Sequence, residues 1–161
     1  MLNQLLGGRA RQDPLAAARL LSGVIAGGVV TFAAIVLLLI SGVLGEPLGL
    51  RVPPPPVIAA LAVAAAAFLV AAPLVERVLL RKAGRDGYVT AKTVGMVLRE
   101  LPGILGALLG LLTGSSFWVL ALPAASLLAI ALGWPRAGEL AAVGGGEPGT
   151  PPSGGPPIEP R

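Results

Sequence analysis

The run Leu98-Arg99-Glu100-Leu101-Pro102-Gly103-Ile104-Leu105-Gly106-Ala107-Leu108-Leu109-Gly110-Leu111-Leu112-Thr113-Gly114 sets a cation and an anion side by side at the head of a long uncharged segment. No charge occurs in residues 101–135, and a turn at Thr113-Gly114-Ser115-Ser116 must fall inside that run. Two membrane-spanning helices need about 20 residues each plus a turn. The run is too short for both, so the first helix must begin earlier, near Thr90 to Val94. That carries Arg99 and Glu100 below the membrane surface. At about 1.5 Å per residue, Glu100 lies ~20 Å from the far end of its helix, or ~10 Å inside the hydrocarbon. A re-entrant hairpin is the alternative, disfavoured because lipid-exposed irregular backbone leaves polar groups unpaired.

Composition agrees with a membrane protein. Only 12% of the 161 residues are charged and 55% are hydrophobic, whereas a soluble domain is about 25% charged. The mean hydropathy is +0.84. Working outward from the opening segment gives four spans: 20–44, 57–80, 92–113 and 117–134. The predicted fold is all-α and polytopic, four transmembrane helices arranged as two hairpins over residues 20–135. Asp13-Pro14 reads as an N-cap followed by proline at the first helical position, so residues 1–19 are polar and interfacial and run into the first span. A cleaved signal peptide is the competing reading, but the apolar run is longer than a signal core. Pro53 to Pro56 make a stiff extended link before the second span. Pro73 is a candidate kink in that span. Pro123 falls in the first turns of the fourth, where proline costs least. Phe117, Trp118 and Trp134 fit interfacial aromatic belts. Residues 136–161 are rich in Gly and Pro and are expected to be a disordered tail.

Charge orients the bundle. With four spans, eleven of the twelve Lys and Arg fall on one side or at its interface, and only Arg51 falls on the other. The positive-inside rule then puts both termini in the cytoplasm of a multi-pass cell-membrane protein. The basic balance, net +4, is explained by topology and not by nucleic acid. Arg81, Lys82 and Arg85 in the connector are candidates for anionic lipid, against an ordinary cytoplasmic loop.

On a helical wheel, Lys92, Met96, Arg99, Gly103, Gly106, Ala107, Gly110 and Gly114 share one side of the third span, with Glu100 at its edge. Leu98, Leu101, Leu105, Leu108 and Leu112 share the other. Small residues let helix backbones approach, so the glycine side is predicted to face protein and the leucine side lipid. Gly23 and Gly27 of the first span repeat the GxxxG spacing and form a second packing candidate. An ionisable residue inside a span is a functional-site hypothesis. Glu100, tuned by Arg99, is the ion or proton candidate, with Glu76 and Arg77 as neighbours. The competing reading is structural: Arg99 snorkels to phosphate, and Glu100 pairs with Arg99, Arg77 or a connector cation.

The segment 97–106 together with Leu111-Leu112-Thr113-Gly114 resembles a pattern in small, uncharacterised four-helix proteins of the bacterial inner membrane. These are distantly similar to the proteolipid c-subunit of rotary ATP synthases, a helical hairpin with an acidic residue. The resemblance implies a membrane bundle and raises ion translocation or a rotor-like subunit. It covers about twenty residues, and the carboxylate reads here as near the membrane edge and not mid-span.

Several classes drop out. The chain has no cysteine and no histidine, which removes disulfides, thiol chemistry, the commonest zinc ligands and the usual base of hydrolytic triads. No phosphate loop, metal cluster or paired catalytic carboxylates are present. No cofactor or enzymatic activity is expected. The expected function is a non-enzymatic integral membrane protein that packs with itself or with partner membrane proteins, with translocation through Glu100 as the alternative.

Overall fold

The computed structural model describes residues 13–43, 52–84 and 86–144. Residues 1–12, 44–51, 85 and 145–161 lie outside the described residues, and with them parts of the expected linker, connector and termini, Arg51 and Arg85 included. The described residues form five helices: α1 (Pro14–Ile40), α2 (Pro55–Ala83), α3 (Tyr88–Thr113), α4 (Ser116–Leu132) and α5 (Ala137–Gly144). Three of them, α1, α2 and α3, are long and apolar enough to cross a membrane. The count rises to four if α4 and α5, bent by 58° at residues 133–136, are one broken span.

The helix ends follow local chemistry. Asp13 Oδ1 accepts from the backbone N–H of Leu15 at 3.1 Å and of Ala16 at 3.0 Å, so the first span starts at Pro14 and absorbs the expected interfacial helix. Removing this cap in Asp13→Ala should cost about 1 kcal/mol, read as a lower unfolding midpoint in detergent. α3 ends because Gly114 takes φ +66°, a left-handed cap that donates its N–H to the carbonyl of Gly110. The chain then turns at once into α4.

α3 is the axis of the bundle. It packs against α4, α2 and α1, and α1 also packs against α4, whereas α2 scarcely touches α4. The register is antiparallel for α3 and α4: Gly103 faces Ser126, Gly106 faces Leu122 and Pro123, and Gly110 faces Val119. α1 runs alongside α3 in the same sense, with Val29 against Gly103. Two apolar clusters follow from this. Val29, Met96 and Ile130 join three helices with Trp134 against them. Val36, Ala107 and Val119 join the same three helices nearer the other end. The outward faces of α1 and α2 are apolar and exposed, with Val24, Val30, Val63 and Val70 all more than half exposed.

Three expectations change here. Pro55 and Pro56 belong to the first turn of α2 and not to the extended link, since proline is tolerated where the helix N–H groups have no partner. The chain after Pro135 is not all tail: residues 137–144 form α5, because Glu-Leu-Ala-Ala is a good helix former and Glu139 has a partner to reach. Pro123, expected in the first turns of the fourth span, is the eighth residue of α4, past its second turn and inside the helix. Prolines thus interrupt α2, α3 and α4 at Pro73, Pro102 and Pro123. Pro102 removes an N–H from the ladder of α3 and crowds the turn before it. On that turn, the backbone carbonyl of Arg99 accepts a hydrogen bond from Ser126 Oγ of α4. The carbonyl that Pro102 leaves without its helical donor is that of Leu98, one residue earlier, so the Ser126 bond ties α4 to α3 beside the interruption and does not replace the missing donor.

Candidate functional site

The side chains of Glu76, Lys92, Arg99 and Glu139 gather toward one end of the bundle, where α2 finishes, α3 begins and α4 bends into α5. Glu76 of α2 is the centre. Its Oε1 accepts from Lys92 Nζ at 2.6 Å, and its Oε2 accepts from Arg99 Nη1. Lys92 and Arg99 lie two turns apart on one face of α3. A single carboxylate spans them because Gly95 stands between them. A side chain on Gly95 would put its Cβ 2.5 Å from Glu76 Oε2. Gly133, at the end of α4, makes room for the guanidinium in the same way, since a Cβ there would be 2.6 Å from Arg99 Nη1.

α5 completes the group. Glu139 Oε2 lies 2.6 Å from Lys92 Nζ. This is an ion contact, and Oε2 has no hydrogen-bond partner among the described residues. Lys92 also reaches the carbonyl of Gly133 at 3.4 Å. Arg19 of α1 donates to the carbonyl of Pro135 at 3.3 Å, tying the first helix to the bend. Glu76, Lys92 and Arg99 are 5%, 1% and 6% exposed. Burial of this kind is tolerated only because the charges are paired and hydrogen-bonded. Lys92 sits above the ring of Tyr88, 6.0 Å from its centroid. The Tyr88 hydroxyl is buried with no hydrogen-bond partner among the described residues.

A groove of about 340 Å³ opens beside this network between α2 and α4. Arg99 forms part of its floor, Leu69, Pro73 and Leu80 one wall, and Ala129 and Leu132 the other. Glu76, Arg77 and Glu139 sit around it. The groove exists because α2 is held to α3 and leaves α4 free along this edge.

The sequence candidates separate. Arg99 and Glu100 do not pair: neighbours on a helix point about 100° apart, and Arg99 turns to Glu76. Glu76, named as a neighbour, becomes the hub, while Arg77 lines the groove and makes no ion pair among the described residues. Glu100 faces α1, its Oε1 3.7 Å from where a Cβ on Gly28 would stand. It is half-buried and pairs with no cation among the described residues. It is the thirteenth of the 26 residues of α3, and Gly28 is likewise near the middle of α1. The carboxylate is therefore mid-helix in α3, which begins at Tyr88, earlier than the segment 92–113 read from the sequence.

The glycines divide too. Gly103, Gly106 and Gly110 are packed against α1 and α4. Gly114 is a helix cap with open space around it, and Gly23 and Gly27 have no atom within 4 Å of where a Cβ would stand. Arg81 and Lys82 are exposed in the last turn of α2. The network residues missed from sequence are Lys92, Gly95, Ser126, Gly133 and Glu139. The usable signal was two cations on one face of α3, which demanded a carboxylate opposite them. Among the described residues no group of three or more Asp or Glu is placed to hold a metal ion.

No family model, no curated protein and no solved structure matches the chain.

Proposed function

We propose that this chain is a non-enzymatic integral membrane protein, four spans in two hairpins with both ends cytoplasmic, that packs laterally through the outward face of α1 with itself or with partner membrane proteins. The observation that carries the reading is the open surface at Gly23 and Gly27, where nothing stands within 4 Å. The corresponding glycines of α3 are occupied by neighbours. A backbone that another helix can approach closely is the usual basis of association in lipid, where there is no hydrophobic drive between helices. Charge supports the topology: Arg19, Arg77, Arg81, Lys82, Lys92 and Arg136 lie toward one end of the bundle, the pattern of a cytoplasmic face.

The chain contains no cysteine, so Gly27→Cys gives a unique thiol. Oxidation in native membranes should yield a covalent product for Gly27→Cys and none for Val63→Cys on the outward face of α2. Gly27→Leu should fold normally and prevent association in a detergent-resistant complex assay. Absence of any product from Gly27→Cys would remove self-association through this face, and an unchanged complex in Gly27→Leu would remove the reading as a whole.

A second reading has its own observation. Glu100 is a mid-helix carboxylate with no cation partner among the described residues, which favours a proton- or cation-translocating or rotor-like subunit. Flux into proteoliposomes that is present in the wild type and lost in a folded Glu100→Gln would establish it. No flux in either removes a self-contained channel or carrier.

A further inference from the structure

We infer that the groove between α2 and α4 holds one anionic phospholipid, its phosphate on Arg77 and Arg99 and an acyl chain along Leu69, Pro73 and Leu132. This goes beyond lateral packing through α1 and uses a different face of the molecule. Three features of the groove point to this occupant.

The first is its polarity. Arg77 and the guanidinium of Arg99, which lies against Gly133 at the end of α4, share one end of the groove with Leu80 and Leu132, and Leu69, Pro73 and Ala129 line it farther from that end. Arg77 lies six residues, or ~9 Å, before the end of α2, the depth at which a long cationic side chain meets headgroups. Leu69 is two turns deeper into the hydrocarbon. A small soluble anion would leave that apolar wall unfilled.

The second is the charge. Arg99 spends one guanidinium nitrogen on Glu76, and its other donors have no protein acceptor among the described residues while the residue lines the groove. Arg77 is exposed and pairs with no acid among the described residues. Glu76 is already shared between two cations, and Glu139 is held by Lys92. Taken together, Arg77, Lys92 and Arg99 outnumber Glu76 and Glu139 by one positive charge, which suits an anionic headgroup. The planar donor fork of arginine matches phosphate oxygens.

The third is access. Because α2 scarcely touches α4, the groove is open along the side that faces lipid, so a phospholipid enters without the bundle opening.

The test uses the full-length protein, purified and delipidated in a mild detergent, and reads lipid adducts by native mass spectrometry in an equimolar mixture of phosphatidylglycerol and phosphatidylcholine. The wild type should retain one phosphatidylglycerol with a preference of about tenfold, the equivalent of one charge-assisted hydrogen bond. Arg77→Gln should erase that preference. Leu132→Trp, which fills the apolar wall and removes no charge, should reduce retention of both lipids. Arg81→Gln with Lys82→Gln should change little. Circular dichroism confirms that each variant is folded. If Arg77→Gln does not fold, Arg77→Lys, which keeps the charge and loses the fork, should give an intermediate preference.

Three results would overturn the inference. Equal retention of the two lipids removes the charge argument. Loss of binding in the Arg81/Lys82 double variant, with Arg77→Gln and Leu132→Trp unchanged, moves the lipid to the connector. Displacement of phosphatidylglycerol by millimolar inorganic phosphate makes the groove a small-anion site.

Discussion

Glu76→Ala should destabilise the protein by about 3–5 kcal/mol, the cost of leaving buried charges without their partner. The side chain is 5% exposed and answers two cations on α3. Its loss strands Arg99, which has no other acid partner among the described residues, while Lys92 keeps only the more exposed Glu139. Equilibrium unfolding of detergent-solubilised protein, followed by helical circular dichroism, measures the effect. The sharper result is the contrast with a triple variant, Glu76→Leu with Lys92→Met and Arg99→Met. Replacing a buried ionic group by apolar side chains of similar volume is often neutral or stabilising. The triple variant should therefore lie within about 1 kcal/mol of wild type or above it. A triple variant as weak as the single one would mean that the network's worth is attractive and not the avoidance of unpaired charge.

The second large effect is at the seam of α3 and α4. A Cβ on Gly106 would stand 2.8 Å from the backbone carbonyl of Trp118, and one on Gly110 would stand 3.2 Å from the carbonyl of Ser115 while overlapping Val119. Backbone cannot swing aside as the end of a flexible side chain can, so the two helices must separate. Gly106→Leu and Gly110→Leu should each cost about 2–3 kcal/mol net, overpacking exceeding the gain in helix propensity of roughly 1 kcal/mol. Gly27→Leu, which meets nothing within 4 Å, should leave the monomer's stability unchanged or slightly raised. The same substitution is the one expected to abolish association, so the α3 and α1 glycines are separated by opposite outcomes: one set affects folding, the other assembly.

Much of this was legible in the chain. The 35 uncharged residues between Glu100 and Arg136 cannot hold two spans, and that length argument alone leads to an α3 that starts upstream and includes Lys92, Arg99 and Glu100, as it does. The wheel of α3 set Lys92, Arg99, Gly103, Gly106 and Gly110 on a protein side, and all five are buried. The leucine side came out less cleanly: of Leu98, Leu101, Leu105, Leu108 and Leu112 only Leu108 is exposed and the others are half-buried, the exposed strip running through Val97, Ile104 and Leu108. Asp13-Pro14 marked a helix start because capping is a contact between near neighbours in sequence. Such properties depend on periodicity, length and local hydrogen bonding, and a single chain carries them completely.

What the sequence left open were choices between distant partners. Arg99 had Glu100 beside it and Glu76 23 residues away, and only the packing of α2 on α3 shows that the distant one is taken. Glu139 sits in a stretch whose composition reads as tail, yet the bend after α4 returns it to Lys92. Gly95 and Gly133 look like any other of the 23 glycines until the carboxylate and guanidinium that occupy their missing side-chain space are in place. The sequence by itself determined a set of helices long and apolar enough to cross a membrane, one of them with a small-residue, charge-bearing face. The tertiary structure decided which charges neutralise one another, left Glu100 without a cation partner among the described residues at mid-helix, and opened a groove beside the ion pairs. The physical reason is that helical periodicity sets which residues share a face. Which face of which helix meets it depends on packing across tens of residues, and no local pattern encodes that.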